Sequence, residues 1–258
     1  FWLKEAAGID ALLCTAPAMA GMTPPSASEV LGREVPGWTP PPPPPATTLE
    51  GRYARVEPLS LERHSAELFE ANRLSDAIWD YLPYGPFATL EDYQAWMRKT
   101  CFTQDPLFFA IIDCSDGKAK GVLAYLSIVP QYGSVEVGHL CFSPPLQRTR
   151  VSTEALFLLM RHAFQLGYRR CEWKCNALNA KSRSLAQRLG LSYEGLFRNH
   201  RVVKGRSRDT AWYACIDAEW PALEQAFETY LSPDNFDEHG QQKQSLSALT
   251  SSVLVSRG

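Results

Sequence analysis

Residues 136–155 constrain the fold of this chain most, because a strand, a tight loop and a helix follow one another without a gap. Ser134–Phe142 alternates like a strand, and Ser152–Leu166 carries apolar residues at helical spacing. The N-terminus of a helix has unpaired backbone N–H groups and partial positive charge, so it attracts phosphates. Arg148 and Arg150 add charge to the same turn. The segment predicts an anion site between a strand and a helix.

Gly138 lies inside the predicted strand, where a glycine indicates a bulge or a close approach of backbone. A bulge would leave strand N–H and C=O groups free to pair with an extended ligand. The alternative is that Gly138 is incidental and that both loop arginines are merely solvated. This stretch alone does not separate the two interpretations.

Between residues 49 and 231, alternating and helical periods succeed one another and predict a mixed α/β sheet with helices on its faces. Ser60 and the Thr89–Asp92 capping box each predict the start of a helix. The order is β-α-α-β-β-β-α-β-α-β-β, followed by a last helix. The strands are predicted at 52–57, 107–113, 120–128, 134–142, 171–176, 193–204 and 209–217, and the helices after 60 and 89 and at 152–166, 179–189 and 221–230.

The two ends of the chain differ from this domain in composition. The Pro-rich stretch contains the unbroken run Pro40–Pro45, which favours a stiff arm on the surface or a ligand for a proline-reading domain. Beyond Ser232 the chain becomes polar and rich in Ser and Gln, which predicts a loose tail. We therefore divide the chain into an N-terminal extension and arm at 1–48, a domain at 49–231 and a flexible tail at 232–258.

Bulk composition excludes several classes of function. The formal net charge is -2, which gives no electrostatic reason to expect nucleic acid or an anionic membrane as the main partner. No apolar run reaches the ~18 residues of a membrane span. The seven cysteines include no CxxC pair, so we expect neither a disulfide framework nor a metal site, and we expect a cytoplasmic location. The chain opens on Phe1, and Met22 is a candidate start.

The loop Gln147-Arg-Thr-Arg-Val-Ser152 resembles the acetyl-CoA motif of the GNAT acetyltransferases, written Gln/Arg-x-x-Gly-x-Gly/Ala. The resemblance is to the branch of the ribosomal-protein acetyltransferases RimJ and RimL. Gln147 matches, and Ser152 is a small residue at the last position. Arg150 replaces the usual Gly, which places a side chain where backbone would approach the phosphate.

Further matches follow in the family's order. Asn179-Ala-Lys-Ser182 is similar to the Asn-x-x-Ser element, Arg188-Leu-Gly-Leu191 resembles the end of the next helix, and 193–209 resembles the closing hairpin. The likeness covers about Gly37–Asp217. It implies a GNAT-like acyltransferase fold, with a central, mostly antiparallel twisted sheet flanked by helices.

The resemblance implies that acetyl-CoA is the cosubstrate and that a primary amine attacks its thioester directly. In the family a backbone N–H of the strand stabilises the oxyanion, which points to His139–Cys141 and favours Leu140. The implied residues for binding the cosubstrate are His139, Leu140, Cys141, Gln147, Arg148, Thr149, Arg150, Val151, Ser152, Asn176, Asn179 and Ser182.

Glu136, His139 and His200 are the candidates for the general base, and each could instead be structural. The branch often has a Glu in the closing hairpin; the aligned position here is Arg201, and His200 beside it is the candidate substitute. Many members use a Tyr as the general acid, but that position aligns with Ala186. Ser182 is the candidate for hydrogen bonding the CoA sulfur, or else it only caps a helix.

Several alternatives stay open. A catalytically idle CoA-binding regulatory module would also fit the altered loop and the missing Tyr. The basic residues of the closing hairpin could bind nucleic acid, although a solvated hairpin tip explains them as well. The aromatic segment Trp79–Phe87 could line the acceptor pocket or belong to the core. The acceptor is a protein N-terminus, an amino acid or a small amine, and the chain could form a homodimer.

Overall fold

The computed structural model describes residues 32–258, so the hypothesis about Met22 lies outside the described residues. Contacts divide the chain into two units between Thr39 and Pro40. The described part of the first unit contains one turn, in which the N–H of Trp38 donates to the carbonyl of Val35 at 3.4 Å.

One eight-stranded sheet forms the centre of residues 40–258. Its strands are β1 Leu49–Glu50, β2 Ala54–Pro58, β3 Leu107–Asp113, β4 Lys118–Val129, β5 Ser134–Phe142, β6 Arg170–Asn176, β7 Ser192–Val203 and β8 Arg206–Ile216. The helices in this range are α1 Leu61–Asn72, α2 Leu90–Thr100, α3 Arg150–Gln165, α4 Ala180–Arg188, α5 Trp220–Leu231 and the short α6 Leu246–Thr250.

The strand order is β1-β2-β3-β4-β5-β6-β8-β7. All neighbouring strands are antiparallel except β5 and β6, which are parallel. Helices α1 and α2 contribute Leu68, Tyr93 and Met97 to the apolar core on one face of the sheet. Helices α3, α4 and α5 pack into the other core cluster. The predicted fold class, a mostly antiparallel sheet flanked by helices, is confirmed.

Local capping explains where the first two helices begin. The Ser60 hydroxyl accepts the N–H of Arg63 at 3.3 Å, and the Thr89 hydroxyl accepts the N–H of Asp92 at 3.1 Å. Both caps were predicted, and both satisfy a backbone donor that the first turn of a helix leaves unpaired. None of the helices within residues 32–258 is long and apolar enough to cross a membrane.

The C-terminal segment packs against the domain, so the prediction of a loose tail is wrong. Leu246 and Thr250 of α6 are fully buried. The Thr250 hydroxyl donates to the carbonyl of Arg188 at 3.1 Å, at the end of α4. Further on, the carbonyl of Ser256 accepts the N–H of Tyr193 on the edge strand β7 at 3.3 Å. A few apolar residues and backbone pairing are enough to hold a segment whose average composition is polar.

The proline run follows the domain surface. Pro41 and Pro44 are buried, and the carbonyl of Pro42 accepts the hydroxyl of Tyr168 at 3.2 Å. The contacts suit the stiff arm that the sequence predicts, because proline carbonyls remain free to accept hydrogen bonds.

Candidate active site

Strands β5 and β6 separate partway along their length. Their ladder pairs Ser134, Val135 and Glu136 with Arg170, Cys171 and Glu172, and it ends there. Beyond this point β5 continues to Phe142 and β6 to Asn176 without further pairing between them. The separation leaves an opening, here called the β5–β6 cleft. Beyond Glu136 the backbone of β5 has no partner strand among residues 32–258 on the side of the cleft. Unpaired N–H and C=O groups of a strand suit an extended polar ligand.

A bulge lies in β5 beside this cleft. Val122 of β4 pairs with Cys141 and Ala124 pairs with Gly138, so His139 and Leu140 together oppose one residue of β4. His139 has a left-handed φ of 52°. The bulge was predicted at Gly138 and instead lies one residue later.

Gly138 itself lies close to side chains, not to another segment of backbone. A Cβ there would lie 2.9 Å from Cδ2 of Leu126. A side chain at Gly138 would require the end of Leu126 to shift, while His139, rather than the glycine, adopts the unusual backbone conformation.

The loop between β5 and α3 exposes the backbone N–H groups that open the helix. Thr149 is the N-cap, and its hydroxyl accepts the N–H of Ser152 at 3.2 Å. The N–H groups of Arg150 and Val151 belong to the first turn and have no intrahelical acceptor. Arg148 has a left-handed φ of 62°, and its side chain is exposed. Such a helix N-terminus has backbone donors of the kind that bind anions, and the predicted anion site stays a prediction.

The side chain of Arg150 stacks on two aromatic rings. Its guanidinium carbon lies 4.8 Å from the ring centre of Tyr53 and 4.3 Å from that of Phe236. The sequence predicts that the Arg150 side chain lies where the backbone would approach the phosphate, whereas in the structure it packs against these two rings. The Ser152 hydroxyl is also engaged, because it donates to the carbonyl of Thr149 at 2.9 Å. The Gln147 amide donates to the carbonyl of Phe142 at 2.9 Å and ties the loop to the end of β5.

Glu154 fixes the start of α3 to the sheet. Its buried carboxylate accepts the N–H groups of Arg52 at 3.0 Å, Tyr53 at 2.5 Å and Ala54 at 2.6 Å. Because three backbone donors converge on one side chain, the N-terminal part of α3 and the start of β2 hold each other in place.

Glu136 lies at the last paired position of the β5–β6 ladder. Its buried carboxylate is 3.0 Å from the ammonium of Lys174 on β6, and its Oε2 also accepts the hydroxyl of Ser127 at 3.1 Å. Burial raises the pKa of Glu136, and the charge of Lys174 partly opposes that effect. Among the described residues, Oε1 accepts no hydrogen bond. The ammonium of Lys174 also contacts Glu172 at 2.9 Å, so it bridges the two strands where they separate.

His139 is surrounded by aromatic rings. Its Nδ1 shares a hydrogen bond of 3.0 Å with the hydroxyl of Tyr84, and its ring centre lies 4.9 Å from that of Phe108. Burial lowers the pKa of His139 to about 4, so the imidazole is neutral at pH 7 and a weak base.

Ser182 and its neighbours form the opposite wall of the cleft. The Ser182 hydroxyl accepts the indole N–H of Trp173 at 3.0 Å. The Asn179 side chain caps α4 by accepting the N–H of Ser182 at 3.1 Å, and the Asn176 side chain accepts the N–H of Leu178 at 2.9 Å. Ser182 is thus inside the first turn that Asn179 caps. Its contact with Trp173 uses only the hydroxyl oxygen, and its side chain also hydrogen bonds with Cys175, which partly opposes the rise of the Cys175 pKa through burial.

His200 lies in an irregular part of the closing hairpin. Its Nδ1 shares a hydrogen bond of 2.9 Å with the hydroxyl of Thr210, which also accepts Nε–H of Arg208 at 3.2 Å. Burial, followed by the charges of Arg201 and Arg208, lowers the pKa of His200.

The aromatic segment after α1 divides between core and surface. Trp79 is buried, whereas Tyr81 is exposed. The Tyr81 hydroxyl donates to the carbonyl of Leu178 at 3.1 Å, and the Lys204 ammonium donates to the carbonyl of Trp79 at 2.9 Å. These contacts join the segment to the loop before α4 and to the tip of the β7–β8 hairpin. The core interpretation therefore holds for Trp79, and a role of the exposed part of the segment in acceptor binding stays a prediction.

The predicted residues separate into two groups. Glu136, His139, Leu140 and the loop 147–152 follow one another along β5 and into α3, and Asn176, Asn179 and Ser182 lie at the end of β6 and the start of α4. The thiol of Cys141 is buried and lies 3.9 Å from Oδ1 of Asn72 on α1, so only its backbone can serve the cleft.

Sequence reasoning missed Lys174. The signal was present, because alternation along a strand places Lys174 and Glu172 on one face, but its ion pair with Glu136 depends on a neighbour across the sheet.

Comparisons with known proteins agree with this geometry. A family model described as "Acetyltransferase (GNAT) domain" matches residues 55–192. A crystal structure of a GCN5-related N-acetyltransferase from Brucella melitensis is 44% identical, with a TM-score of 0.82 over 84% of this chain and 100% of that chain. The chain belongs to the GNAT acetyltransferase family. GNAT domains use acetyl-CoA as cosubstrate, and this membership supports transferase activity.

Other matches extend the comparison of this GNAT domain. A probable acetyltransferase of the GNAT family from Chromobacterium violaceum is 39% identical, with a TM-score of 0.69 over 80% of this chain and 100% of that chain. A ribosomal-protein-S5-alanine acetyltransferase from Vibrio fischeri is 18% identical, with a TM-score of 0.53 over 67% of this chain and 98% of that chain, and at this identity it supports the fold alone. The search of curated proteins gave no match.

Proposed function

We propose that this GNAT protein transfers the acetyl group of acetyl-CoA to a primary amine by direct attack of the amine on the thioester. The observation that carries the proposal is the convergence of three features at the end of β5. The β5–β6 cleft opens, the bulge at His139–Leu140 lies beside it, and the amide-rich start of α3 follows. An extended ligand that ends in phosphates matches this sequence of sites.

In the proposed complex, the pantetheine arm lies in the β5–β6 cleft and pairs with the free edge of β5. The pyrophosphate lies on the backbone N–H groups of residues 148–151. The contacts of Arg150 with Tyr53 and Phe236 support this arrangement, because they leave the backbone of the loop accessible despite the missing glycine. Asn176 and Asn179 border the other side of the arm.

The reaction forms one bond and breaks one. The amine nitrogen attacks the thioester carbon, and the N–H of Leu140 donates to the oxyanion that develops. The carbon–sulfur bond then breaks, and CoA leaves as a thiolate that takes up a proton. Ser182 is the proposed donor to the sulfur, because its contact with Trp173 uses only the oxygen of the hydroxyl. The amide product loses the extra amine proton to a base.

Glu136 is the proposed base. Its Oε1 accepts no hydrogen bond within the described residues, and burial raises its pKa toward that of an amine. His139 is a poorer candidate, since its pKa is about 4. In His200, Nδ1 is already engaged with Thr210.

We also propose the branch of the family and the location of the protein. The motif of residues 147–152 and the Asn-x-x-Ser element support a place near the RimJ and RimL enzymes. The six cysteines of the described part are free thiols, which suits the reducing cytoplasm.

Release of free CoA thiol from acetyl-CoA, measured with a panel of amines, tests the proposed function. We expect at least one amine to increase thiol release above the rate of hydrolysis, with acetylated amine formed in equal amount. A catalytically idle module would behave differently: CoA at 100 times its dissociation constant would stabilise the fold by about 2.7 kcal/mol, yet no amine would release thiol.

A further inference from the structure

One face of β8 carries hydrogen-bond donors without matching acceptors. Arg208, Thr210 and Trp212 alternate along this strand and therefore project from the same face. Lys174 shares that face, because its ammonium lies 4.1 Å from the ring centre of Trp212. Helices α1 and α2 cover this face only over the other half of the sheet, where they pack on β3 and β4.

Arg208 is half-buried and forms no ion pair with any carboxylate in residues 32–258. Its Nε donates to Thr210, which leaves the two terminal nitrogens of the guanidinium. Burial and the charge of Arg201 lower the pKa of Arg208, which shows how poorly its charge is compensated. Arg201 lies directly opposite it on β7, and like charges in such a pair destabilise a sheet.

A second donor on the same strand is also unsatisfied. The indole N–H of Trp212 is buried and has no acceptor among the described residues. Burying a donor without an acceptor costs about 1–3 kcal/mol, so such groups are uncommon without a ligand.

Each carboxylate near Arg208 already has an ion-pair or hydrogen-bond partner. Glu136 and Glu172 are bound to Lys174, and Glu172 is also bound to Arg170. Asp209 accepts the backbone N–H of Asn199 at 2.6 Å. Arg201 and Arg208 therefore have no ion pair with a carboxylate within the described residues, and Lys204 adds a further positive charge at the tip of the hairpin.

We propose that the acceptor amine carries a carboxylate and that the terminal nitrogens of Arg208 bind it, beside the β5–β6 cleft. The inference rests on the proposed function, since it names the class of acceptor for the same site. The planar guanidinium presents two parallel donors that match the two oxygens of a carboxylate. The charge of Glu136 acts on Arg208, so the two groups share one electrostatic environment.

The same positive surroundings assist the reaction. Cationic groups disfavour the protonated form of a bound amine, and attack on the thioester requires the neutral form. A free amino acid supplies both the amine and the carboxylate. A peptide whose N-terminal residue has an acidic side chain supplies the same chemistry from a protein.

The test compares matched pairs of acceptors that differ only in the carboxylate, such as phenylalanine and phenethylamine, by kcat/KM from thiol release. Peptides with N-terminal Asp or Asn form a second pair. We expect the carboxylate-bearing member of one pair to be preferred by about 10- to 100-fold, the effect of one charge-assisted hydrogen bond. Arg208→Met should abolish that preference and Arg208→Lys should restore part of it. Arg206→Met, at the exposed tip of the same hairpin, should leave it intact.

A binding measurement separates this inference from the proposed function. Calorimetric titration of the N-acetylated amino acid into protein with bound CoA should give an affinity that Arg208→Met lowers about 10-fold or more. If binding depends on Arg208 but no amine releases thiol, the proposed function fails and the anion site stands. If thiol is released but the wild type has no carboxylate preference, or the preference survives Arg208→Met, the inference is wrong.

Discussion

Glu136 shows how one residue position combines structure and chemistry. It is the last residue of β5 that pairs with β6, so it lies where the sheet opens. Lys174 and Ser127 both bind its Oε2, and this holds the carboxylate in one orientation. Burial raises the pKa of Glu136 above its ordinary value of 4.5, and the charge of Lys174 opposes this effect only in part.

Glu136→Gln should lower kcat/KM by about 100-fold or more, because a general base contributes 10²–10⁴-fold. The ionised carboxylate is the active form. Activity of the wild type should therefore fall as pH decreases through the raised pKa of Glu136, in addition to the fall from protonation of the amine. The variant should lose that extra acidic limb, as measured from pH profiles of kcat/KM.

Glu172→Gln is the matched control for this prediction. Glu172 contacts the same Lys174 but lies on β6 and is also held by Arg170. If Glu172→Gln loses as much activity as Glu136→Gln, the ion network matters and Glu136 has no separate role as base.

The contacts of the Arg150 side chain could not be predicted from the sequence. From the sequence, an Arg in place of the motif's Gly predicts an obstructed phosphate loop. The side chain instead contacts Tyr53, just before β2, and Phe236, near the C-terminus. Both partners are far away in the sequence, so no local pattern indicates the contact.

Helix α3 is the element that links the site to the rest of the fold. Its first turn supplies the loop amides, and Glu154 in its second turn binds three backbone N–H groups before and within β2. Its apolar residues fill one of the two core clusters. A change in Glu154 would therefore act on the position of the loop without touching it.

Glu154→Ala should lower the free energy of unfolding by about 3–5 kcal/mol, because it leaves buried backbone donors without an acceptor. Glu154→Gln should lose less, since one acceptor oxygen remains. Urea denaturation followed by circular dichroism measures both, with the exposed Glu228→Ala on α5 as the control. A loss for Glu154→Ala no larger than that of the control would contradict the structural role given to Glu154.

Elements with strong local periodicity could be predicted from the sequence. Strands β3 and β5 have the bounds that alternation predicts, and the caps at Ser60 and Thr89 are where expected. The two-residue strand β1 is too short for a periodic signal, and the packing of α6 depends on residues far away in the chain. The bulge lies at His139–Leu140 rather than at the predicted Gly138, because its position is determined by the pairing of β5 with β4.

At the scale of the whole molecule, the active site depends on strand pairing. Strand β6 pairs along its full length with β8 but only along its first three residues with β5. This partial pairing creates the β5–β6 cleft, and no single segment of the sequence encodes it. The motif residues identified the family from the sequence, whereas the cleft that unites them emerges only in the folded domain.

The central claim is that acetyl-CoA binds in the β5–β6 cleft with its pyrophosphate at the start of α3. Amide hydrogen exchange, measured with and without CoA at saturating concentration, tests it most directly. We predict that CoA slows exchange mainly in residues 137–142 and 148–152, with little change in β2 and β3. The account is contradicted if CoA binds while these two segments exchange as fast as in the free protein, or if the protection lies elsewhere.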